Sequence, residues 1–335
     1  MKREILRMLR NADSYVSGQS LCETFSVSRT AVWKVINQLK EEGYVIDSVQ
    51  NKGYRITEYP DVITGSEIES LLLNDDGTLD GIINKVVYFD DTDSTNNQAK
   101  LAADSVTNPA PHGTLFIAEC QTGGRGRRGK SWISPPGSGI WMTLLLRPDM
   151  TPESASMLTL VQAVALVEAI RTEVSEAECC LKWPNDIVLN KKKISGTLTE
   201  MSAEMDSIHY VVIGTGINVN TTEFDESIKD VASSIYVETG KNVKRSNIIA
   251  AFSRSFEKYY NMFTKTNDLS LIIEDYNRML INKGNTVKAL YSDKEIVGTS
   301  MGINNAGELL VKTDDGEVMT IRSGEVSVRG LYGYV

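Results

Sequence analysis

The sequence contains few of the residues that build disulfide frames and zinc sites. No two cysteines form a C-x-x-C pair, although structural zinc sites usually take their four ligands from such closely spaced pairs. Only two histidines occur in 335 residues. We therefore expect free, buried thiols, no disulfide and no metal centre. The scarce residues are Cys22, Cys120, Cys179, Cys180, His112 and His209.

Long apolar runs are also missing. Residues 1–7 carry charges where a secretory signal peptide has its apolar segment, and no run of about 18 apolar residues follows. The composition, 41% hydrophobic and 24% charged, is typical of globular domains. A length of 335 residues predicts two or three such domains. We expect a cytoplasmic protein that has no membrane partner.

Charge is distributed unevenly along the chain. The formal net charge is −9, yet residues 1–60 contain nine Lys or Arg and seven Asp or Glu, a net charge of +2. The remaining residues therefore carry −11. The amino-terminal segment is the basic part of an acidic protein, which marks it as a separate domain.

Residues 1–60 have the pattern of a winged helix-turn-helix domain. Ser17 and Ser28 can each cap a helix, and the second helix, 29–42, has apolar residues at i, i+3, i+4 and i+7. The segment 51–53, Asn-Lys-Gly, predicts the hairpin turn of a wing. Side chains that could contact DNA lie on the outer face of the second helix and on the wing: Ser28, Arg29, Thr30, Lys34, Gln38 and Lys52.

A three-helix protein-interaction domain is the alternative for this segment. A net charge of +2 is a weak electrostatic signature for a nucleic-acid partner. The order of the elements nevertheless favours DNA binding.

Residues 61–282 alternate strand-like and helical segments, which predicts one α/β domain. Helices are expected at 151–170, begun by Thr151 and Pro152, at 246–263, capped by Ser246, and at 269–281. Residues 283–335 contain short strands separated by turn residues, the signature of a small SH3-like β-barrel. The predicted fold class is α/β multidomain.

A loop rich in glycine and cations lies at 123–130, where four glycines alternate with Arg125, Arg127, Arg128 and Lys130. Glycines let a ligand approach the backbone, and guanidinium groups bind carboxylate or phosphate oxygens. We expect a mobile loop that binds an anion; a solvated basic turn is the alternative. Residues 124–131 also match the P-loop pattern, but two prolines and a strand-like run at 140–146 follow where a helix is required.

Three further motifs are weak by themselves. Lys182 stands between an apolar residue and the indole of Trp183, which suits either a buried cation or an ordinary lysine at a strand end. The segment 93–96, Asp-Ser-Thr-Asn, could bind a ligand near a helix N-terminus or merely cap the helix. The segment 214–218, Gly-Thr-Gly-Ile-Asn, is rejected as a dinucleotide fingerprint because Val219 replaces the third glycine.

The ordered set of these segments resembles one family over essentially the whole chain: the biotin–protein ligases that double as repressors of biotin biosynthesis genes. Further matching segments are 119–121 (Glu-Cys-Gln), 193–196 (Lys-Ile-Ser-Gly) and 324–329 (Gly-Glu-Val-Ser-Val-Arg). The resemblance implies that ATP, with Mg²⁺, and biotin form biotinyl-5′-AMP. A lysine of a biotin carboxyl-carrier protein then attacks the anhydride. It also implies a homodimer on the operator DNA of biotin genes.

The resemblance also implies roles for individual residues. Lys182 and Arg125 are the implied catalytic residues. The implied biotin-binding residues are Ser94, Thr95, Asn96, Gln121, Arg125, Gly126, Arg127, Lys182 and Gly196. The implied ATP- or adenylate-binding residues are Arg127, Arg128, Trp132, Asn185, Lys193, Asn218 and Arg329. Residues 219–224 lack the basic side chains of some members, so the side chain that stacks on adenine is not assigned.

Two other functional classes stay open at the level of the sequence. A transcription regulator without turnover would need the winged helix and a ligand-sensing domain. A lipoate-type acyl ligase would use a related catalytic fold on a different acid.

Overall fold

Three helices and a β-hairpin form the amino-terminal part of the protein. In the computed structural model, Ser17 and Ser28 accept hydrogen bonds from the backbone N–H three residues on, so both predicted helix caps are confirmed. Asn51 and Gly53 take positive φ angles in the predicted wing turn. The elements are α1 (Lys2–Arg10), α2 (Gly18–Phe25), α3 (Arg29–Glu41), β1 (Val45–Val49) and β2 (Gly53–Glu58). The structure describes residues 1–204, 207–291, 294–323, 327–330 and 334–335.

A seven-stranded mixed sheet forms the centre of the molecule, in the order β3-β4-β5-β9-β8-β7-β6. The first two strands in this order pair in parallel, and every other neighbouring pair is antiparallel. All eight residues of β5 are buried, which explains why Thr143 is its only polar side chain. The strands are β3 (Lys85–Thr92), β4 (Thr114–Gln121), β5 (Gly139–Leu146), β6 (Cys180–Lys182), β7 (Asp186–Leu189), β8 (Lys192–Ala203) and β9 (Ile208–Asn218).

Helices cover this sheet, and several differ from the prediction. The predicted helix at 151–170 is interrupted at Met157 and continues to Glu173. Lys244, not Ser246, is the N-cap of the long helix, because the Ser246 hydroxyl is buried and donates to Glu67. The helices are α4 (Gly65–Leu72), α5 (Thr95–Ala103), α6 (Pro152–Ser156), α7 (Leu158–Glu173), α8 (Ile235–Thr239), α9 (Arg245–Phe263) and α10 (Ile273–Met279).

Helices α4 and α8 were not predicted, and α10 is shorter than the predicted 269–281. The α10 prediction started too early because Leu269 donates its N–H to the carbonyl of Asn305 in a turn. Residues of α6 and α7, Pro152–Glu173, are long and apolar enough to cross a membrane by length and composition alone. However, 72% of this apolar window is buried inside the protein, as in the core helix of a globular domain.

A five-stranded antiparallel sheet stands where the small barrel was predicted, in the order β13-β12-β11-β10-β14. Part of the 324–329 motif, residues 324–326, lies outside the described residues. Val328 and Arg329 belong to the edge strand β14, which faces the central sheet near β6. The strands are β10 (Thr286–Leu290), β11 (Glu295–Ile303), β12 (Leu309–Lys312), β13 (Val318–Ile321) and β14 (Ser327–Gly330).

A buried carboxylate joins the winged helix to the central domain. Glu67 of α4 is 1% exposed and accepts hydrogen bonds from Arg10 at 2.6 Å and from the hydroxyl of Tyr44 at 2.5 Å. Its other oxygen accepts from Ser246 at 3.1 Å. Lys244 donates to the backbone carbonyl of Tyr59 at 2.7 Å. These bonds hold the amino-terminal elements against α4 and α9.

Candidate active site

A cleft of about 660 Å³ opens at one end of the central sheet, with β14 on one side. Its volume is within the usual range for small-molecule sites. Every residue for which the family resemblance implies a biotin or nucleotide role lies on its wall. These residues are Ser94, Thr95, Asn96, Gln121, Arg125, Gly126, Arg127, Arg128, Trp132, Lys182, Asn185, Lys193, Gly196, Asn218 and Arg329.

The N-terminus of α5 forms the uncharged end of the cleft. Ser94 is the N-cap by position, but its side chain makes no capping hydrogen bond. The Gln121 side chain takes over the cap: its Oε1 accepts from the Thr95 N–H at 2.9 Å and from the Thr95 hydroxyl at 3.1 Å. Ser94 is therefore the N-cap by backbone position alone, and it lies on the wall of the cleft.

Asn96 is held by several partners at the same end. Its Nδ2 donates to the Glu200 carboxylate at 2.8 Å and to the Leu198 carbonyl at 3.3 Å, and its Oδ1 lies 2.6 Å from the Thr143 hydroxyl. A Cβ at Gly214 would stand 2.0 Å from Asn96 Oδ1, so only glycine permits this approach. With both N–H groups engaged, Asn96 can offer a ligand one acceptor lone pair.

The glycine–arginine loop forms a short hairpin. Gly126 donates its N–H to the Lys130 carbonyl at 2.7 Å, and the Trp132 N–H donates to the Gly124 carbonyl at 2.9 Å. A 3₁₀ turn spans Arg127–Gly129, and no helix follows Ser131, so rejection of the P-loop is confirmed.

Two arginines tie this hairpin to other elements. Arg125 donates to Asn97 Oδ1 of α5 at 2.5 Å, which brings the loop to the uncharged end of the cleft. Arg127 donates to Asn185 Oδ1 at 3.0 Å and to the carbonyl of Ser323 in the carboxyl-terminal domain. The cations of the loop therefore face the same space as the residues of β6, β7 and β14.

Lys182 lies at the end of β6 and is 5% exposed. Its Nζ donates to the Val328 carbonyl of β14 at 3.0 Å. Burial lowers the pKa of the Lys182 ammonium to about 8. An exposed lysine at a strand end, the alternative left open by the sequence, is therefore wrong.

Asp186 is the carboxylate closest to this cluster. It forms an ion pair with Lys193 at 2.5 Å and accepts a hydrogen bond from the Tyr334 hydroxyl. Burial alone would raise the pKa of the Asp186 carboxyl, but the charges of Lys193 and Lys182 hold it below its usual value. An ionised Asp186 compensates part of the positive charge in the cleft.

Trp132 covers the glycine-rich part of the sheet. A Cβ at Gly216 would stand 2.5 Å from the indole ring, so Gly216 allows the ring to approach β9 closely. Lys193 Nζ lies 5.2 Å from the ring centroid. The indole Nε1 is buried and has no hydrogen-bond partner within the described ranges. Gly214 and Gly216 thus serve side-chain packing inside a strand, which agrees with rejection of the dinucleotide fingerprint.

The segment after β9 forms the far wall of the cleft. Asn218 ends β9 and donates to the Ser233 carbonyl at 3.0 Å, which closes the segment between them. Thr221, Phe224 and Ile228 of this segment line the cleft. The sequence left open which side chain stacks on adenine. Phe224 and Trp132 are the two aromatic side chains on this part of the wall.

Several residues of the site were missed by the sequence analysis. Thr143 and Glu200 hold Asn96, and Tyr334 contacts Lys182. Their partners are distant in the sequence, and none of the three belongs to a motif. Phe224 lies in residues 219–224, where no pattern in the sequence distinguishes it from an ordinary core residue.

The six residues predicted to contact DNA are all exposed, on α3 and on the wing. Ser28 uses its hydroxyl oxygen to cap α3, and Arg29 donates to Gln19 Oε1 at 3.1 Å. The sequence analysis missed Trp33, whose side chain lies on the exposed face of α3 and is 57% exposed. A large exposed indole beside cations is suited to contact with a partner.

Family models match three parts of the chain in the predicted order. Residues 2–55 match an HTH domain, and residues 88–218 match the biotin/lipoate A/B protein ligase family. Residues 284–329 match the biotin protein ligase C-terminal domain. The three matches coincide with the winged helix, the central sheet and the five-stranded sheet.

Known proteins resemble the chain over almost its whole length. The bifunctional ligase/repressor BirA of Bacillus subtilis (strain 168) is 35% identical and covers 98% of both chains. The protein of the same name in Escherichia coli (strain K12) is 30% identical over 97% of this chain and 96% of its own. The structure of the biotin protein ligase from Aquifex aeolicus in complex with biotin and ATP is also similar. It covers 73% of this chain and 99% of its own, with a TM-score of 0.64 at 31% identity.

Proposed function

Because the chain belongs to the family of bifunctional biotin ligase/repressors, we propose that the cleft binds biotin and ATP through the residues described above. The protein is an ATP-dependent biotin–protein ligase that carries a DNA-binding repressor domain. The observation that carries the assignment of the site is the convergence of uncharged hydrogen-bonding groups and buried cations on one cleft. We propose domain boundaries at 1–60, 61–282 and 283–335.

The reaction has two steps. A carboxylate oxygen of biotin attacks the α-phosphorus of ATP, the bond to pyrophosphate breaks, and biotinyl-5′-AMP forms. The amine of a carrier-protein lysine then attacks the acyl carbon, and AMP leaves as the amide forms. The chain's own residues must therefore bind a neutral bicyclic ring, a carboxylate and a triphosphate.

The uncharged end suits the ureido ring of biotin, which has two N–H donors and one carbonyl acceptor. The hydroxyls of Ser94 and Thr95 and the remaining Asn96 lone pair are neutral partners for such a group. Gln121 holds Thr95 at the helix N-terminus. Charged side chains would bind a neutral ring less well. Removing a charged side chain from water is costly, and a neutral ring offers no opposite charge to offset this cost.

The cationic side suits the carboxylate and the phosphates. Lys182 would oppose the negative charge that builds at the α-phosphorus, and its burial makes each interaction stronger than in water. Arg125, Arg127 and Arg329 would bind the anionic oxygens.

The nucleotide base would lie on the other side of these cations, near Trp132 and Phe224. Trp132 Nε1, which has no hydrogen-bond partner among the described residues, would donate to a ligand group in this region. No group of three or more His, Cys, Asp or Glu side chains suited to a metal ion occurs in the described part of the chain. Mg²⁺ would therefore enter with the phosphates of ATP.

The winged helix would bind operator DNA of biotin genes as part of a homodimer. One monomer presents a single recognition helix, so two copies are needed to read two half-sites. A basic segment of net charge +2 has little electrostatic affinity by itself. A biotin carboxyl-carrier protein domain would be the acceptor of the second step. We place the protein in the cytoplasm, where ATP and the operator are both present.

The choice of acid separates this function from a lipoate-type ligase, and turnover separates it from a pure regulator. The purified protein is incubated with ATP and either biotin or lipoate, and the acyl-adenylate released by denaturation is detected by mass spectrometry. We expect biotinyl-AMP and no lipoyl-AMP. Lipoyl-AMP, or no adenylate with either acid, would refute the proposal.

A further inference from the structure

Tyr334 lies inside the cleft, although no motif or family role pointed to it. The Nζ of Lys182 is 4.1 Å from the centroid of the Tyr334 ring, and the Arg329 guanidinium carbon is 5.0 Å from it. The Tyr334 hydroxyl donates to the carboxylate of Asp186. A single side chain therefore contacts two cations and the carboxylate nearest to them.

These two cations would otherwise repel each other. Arg329, Lys193 and Arg127 all face Lys182, and Asp186 is the carboxylate that opposes them. Asp186 is itself shared with Lys193 at 2.5 Å. The negative face of an aromatic ring attracts cations, and this attraction is strongest where water is excluded.

Tyr334 is held at this place by local packing. A Cβ at Gly330 would stand 2.0 Å from the carbonyl oxygen of Val335, so glycine at 330 lets the residue after Tyr334 lie against β14. The neighbouring Val328 supplies the carbonyl that accepts from Lys182. The backbone and the ring that contact Lys182 thus come from the same part of the carboxyl-terminal domain.

We propose that Tyr334 is a positioning residue for adenylate formation. Its ring holds the Lys182 and Arg329 cations side by side, facing the carboxylate and phosphates, and its hydroxyl fixes Asp186. This inference rests on the proposed role of Lys182. It assigns the carboxyl-terminal domain a part in the first chemical step, through the orientation of a lysine that belongs to the central sheet.

The test compares Tyr334→Ala, Tyr334→Phe and a control in biotin-dependent exchange of pyrophosphate into ATP. Tyr291→Ala is the control, because Lys294 lies 5.1 Å from that ring centroid in the same domain and outside the cleft. We expect kcat of Tyr334→Ala to fall about 30-fold, since a desolvated cation–π contact is worth about that factor, with little change in KM for biotin. Tyr334→Phe retains the ring but loses the bond to Asp186, so its kcat should lie between those of the parent and Tyr334→Ala.

The pH profile supplies a readout that a loss of domain stability would not move. Lys182 must be protonated to oppose negative charge, and its pKa of about 8 places the alkaline limb of kcat/KM near that pH. Removing the ring in Tyr334→Ala takes away a cation–π contact that favours the charged form, but it also lets water reach Nζ. Because burial is the largest cause of the lowered pKa of Lys182, the gain of water outweighs the loss of the ring. The alkaline limb should therefore move to higher pH in Tyr334→Ala and not in Tyr334→Phe or Tyr291→Ala.

Parent-like kcat and pH profile in Tyr334→Ala would overturn the proposal. So would an equal loss in Tyr334→Ala and Tyr291→Ala without a shift of the alkaline limb, because this would indicate a purely structural role. Lys182→Ala is measured in the same series. Exchange that survives in Lys182→Ala would contradict the role of Lys182 itself, whereas its loss beside a parent-like Tyr334→Ala would refute the Tyr334 inference alone.

Discussion

Arg10 of the winged helix donates a 2.6 Å hydrogen bond to Glu67 of the central domain, and this carboxylate is almost completely buried. The pair crosses the junction between the DNA-binding segment and the catalytic sheet. Within the described residues, removal of Arg10 would leave this buried carboxylate with the hydroxyls of Tyr44 and Ser246 as its hydrogen-bond donors. This buried pair should therefore contribute more to the junction than the more exposed ion pairs Arg3–Glu69 and Arg7–Asp75 that also cross it.

We expect Arg10→Ala to lower the free energy of unfolding by about 3 kcal/mol, because breaking a buried pair strands the remaining charge. The matched control is Arg7→Ala, whose partner Asp75 is fully exposed. Its loss should cost less than about 1 kcal/mol. Urea denaturation of both variants measures the difference, and equal costs would show that Glu67 does not depend on Arg10.

The second prediction concerns the uncharged end of the cleft. Glu200→Ala should raise KM for biotin about tenfold with little effect on kcat, because Asn96 loses a hydrogen bond to a charged partner and its amide is no longer held. Lys100, which pairs with Glu200 at 2.8 Å, would remain. Glu204→Ala, an exposed residue beyond the same strand, is the control. An unchanged KM for biotin in Glu200→Ala would contradict the proposal that Glu200 holds Asn96 in place for biotin binding.

The third prediction concerns the glycine–arginine hairpin. Arg125→Ala and Arg127→Ala should speed the escape of biotinyl-AMP more than they slow its formation, because these side chains close the loop onto Asn97 and Asn185. Rapid gel filtration after one turnover measures the adenylate that stays bound. Arg254→Ala on the exposed face of α9 is the control. Retention equal to that of the parent would mean that the hairpin is only a structural turn.

The fourth prediction concerns the DNA-binding face. Arg29→Ala or Lys34→Ala should weaken binding to the protein's own biotin-gene promoter by about 1–3 kcal/mol if the residue contacts a base edge. Trp33→Ala should also weaken binding without unfolding the domain, because the indole is already exposed. Binding is measured by fluorescence anisotropy, with and without biotin and ATP. Affinity equal to that of the parent in all three variants would contradict the assignment of this face to DNA binding.

How far the sequence could predict the structure depended on the separation between interacting residues. The caps at Ser17 and Ser28 involve a residue three positions away, so the pattern was sufficient. Ser246 was assigned as a cap in error because its partner, Glu67, is 179 positions away. The bond between Tyr334 and Asp186 joins residues 148 positions apart and could not be seen in any motif.

Sequence separation also determined which residues of the cleft could be predicted. Its cationic loop and lysine were recognisable because their composition is unusual within a few residues. The neighbours that orient them were not recognisable, since Glu200 meets Asn96 across 104 positions. The family resemblance supplied the set of wall residues; tertiary packing supplied the side chains that hold them.

The most direct test of the account is a measurement of the first chemical step in Lys182→Ala. Biotin-dependent exchange of pyrophosphate into ATP is compared among the parent, Lys182→Ala and Lys241→Ala, whose exposed lysine pairs with Glu176 away from the cleft. The account predicts that Lys182→Ala loses about 10²–10³ in rate while it stays folded, and that Lys241→Ala exchanges like the parent. Near-parent exchange in a folded Lys182→Ala protein would contradict it.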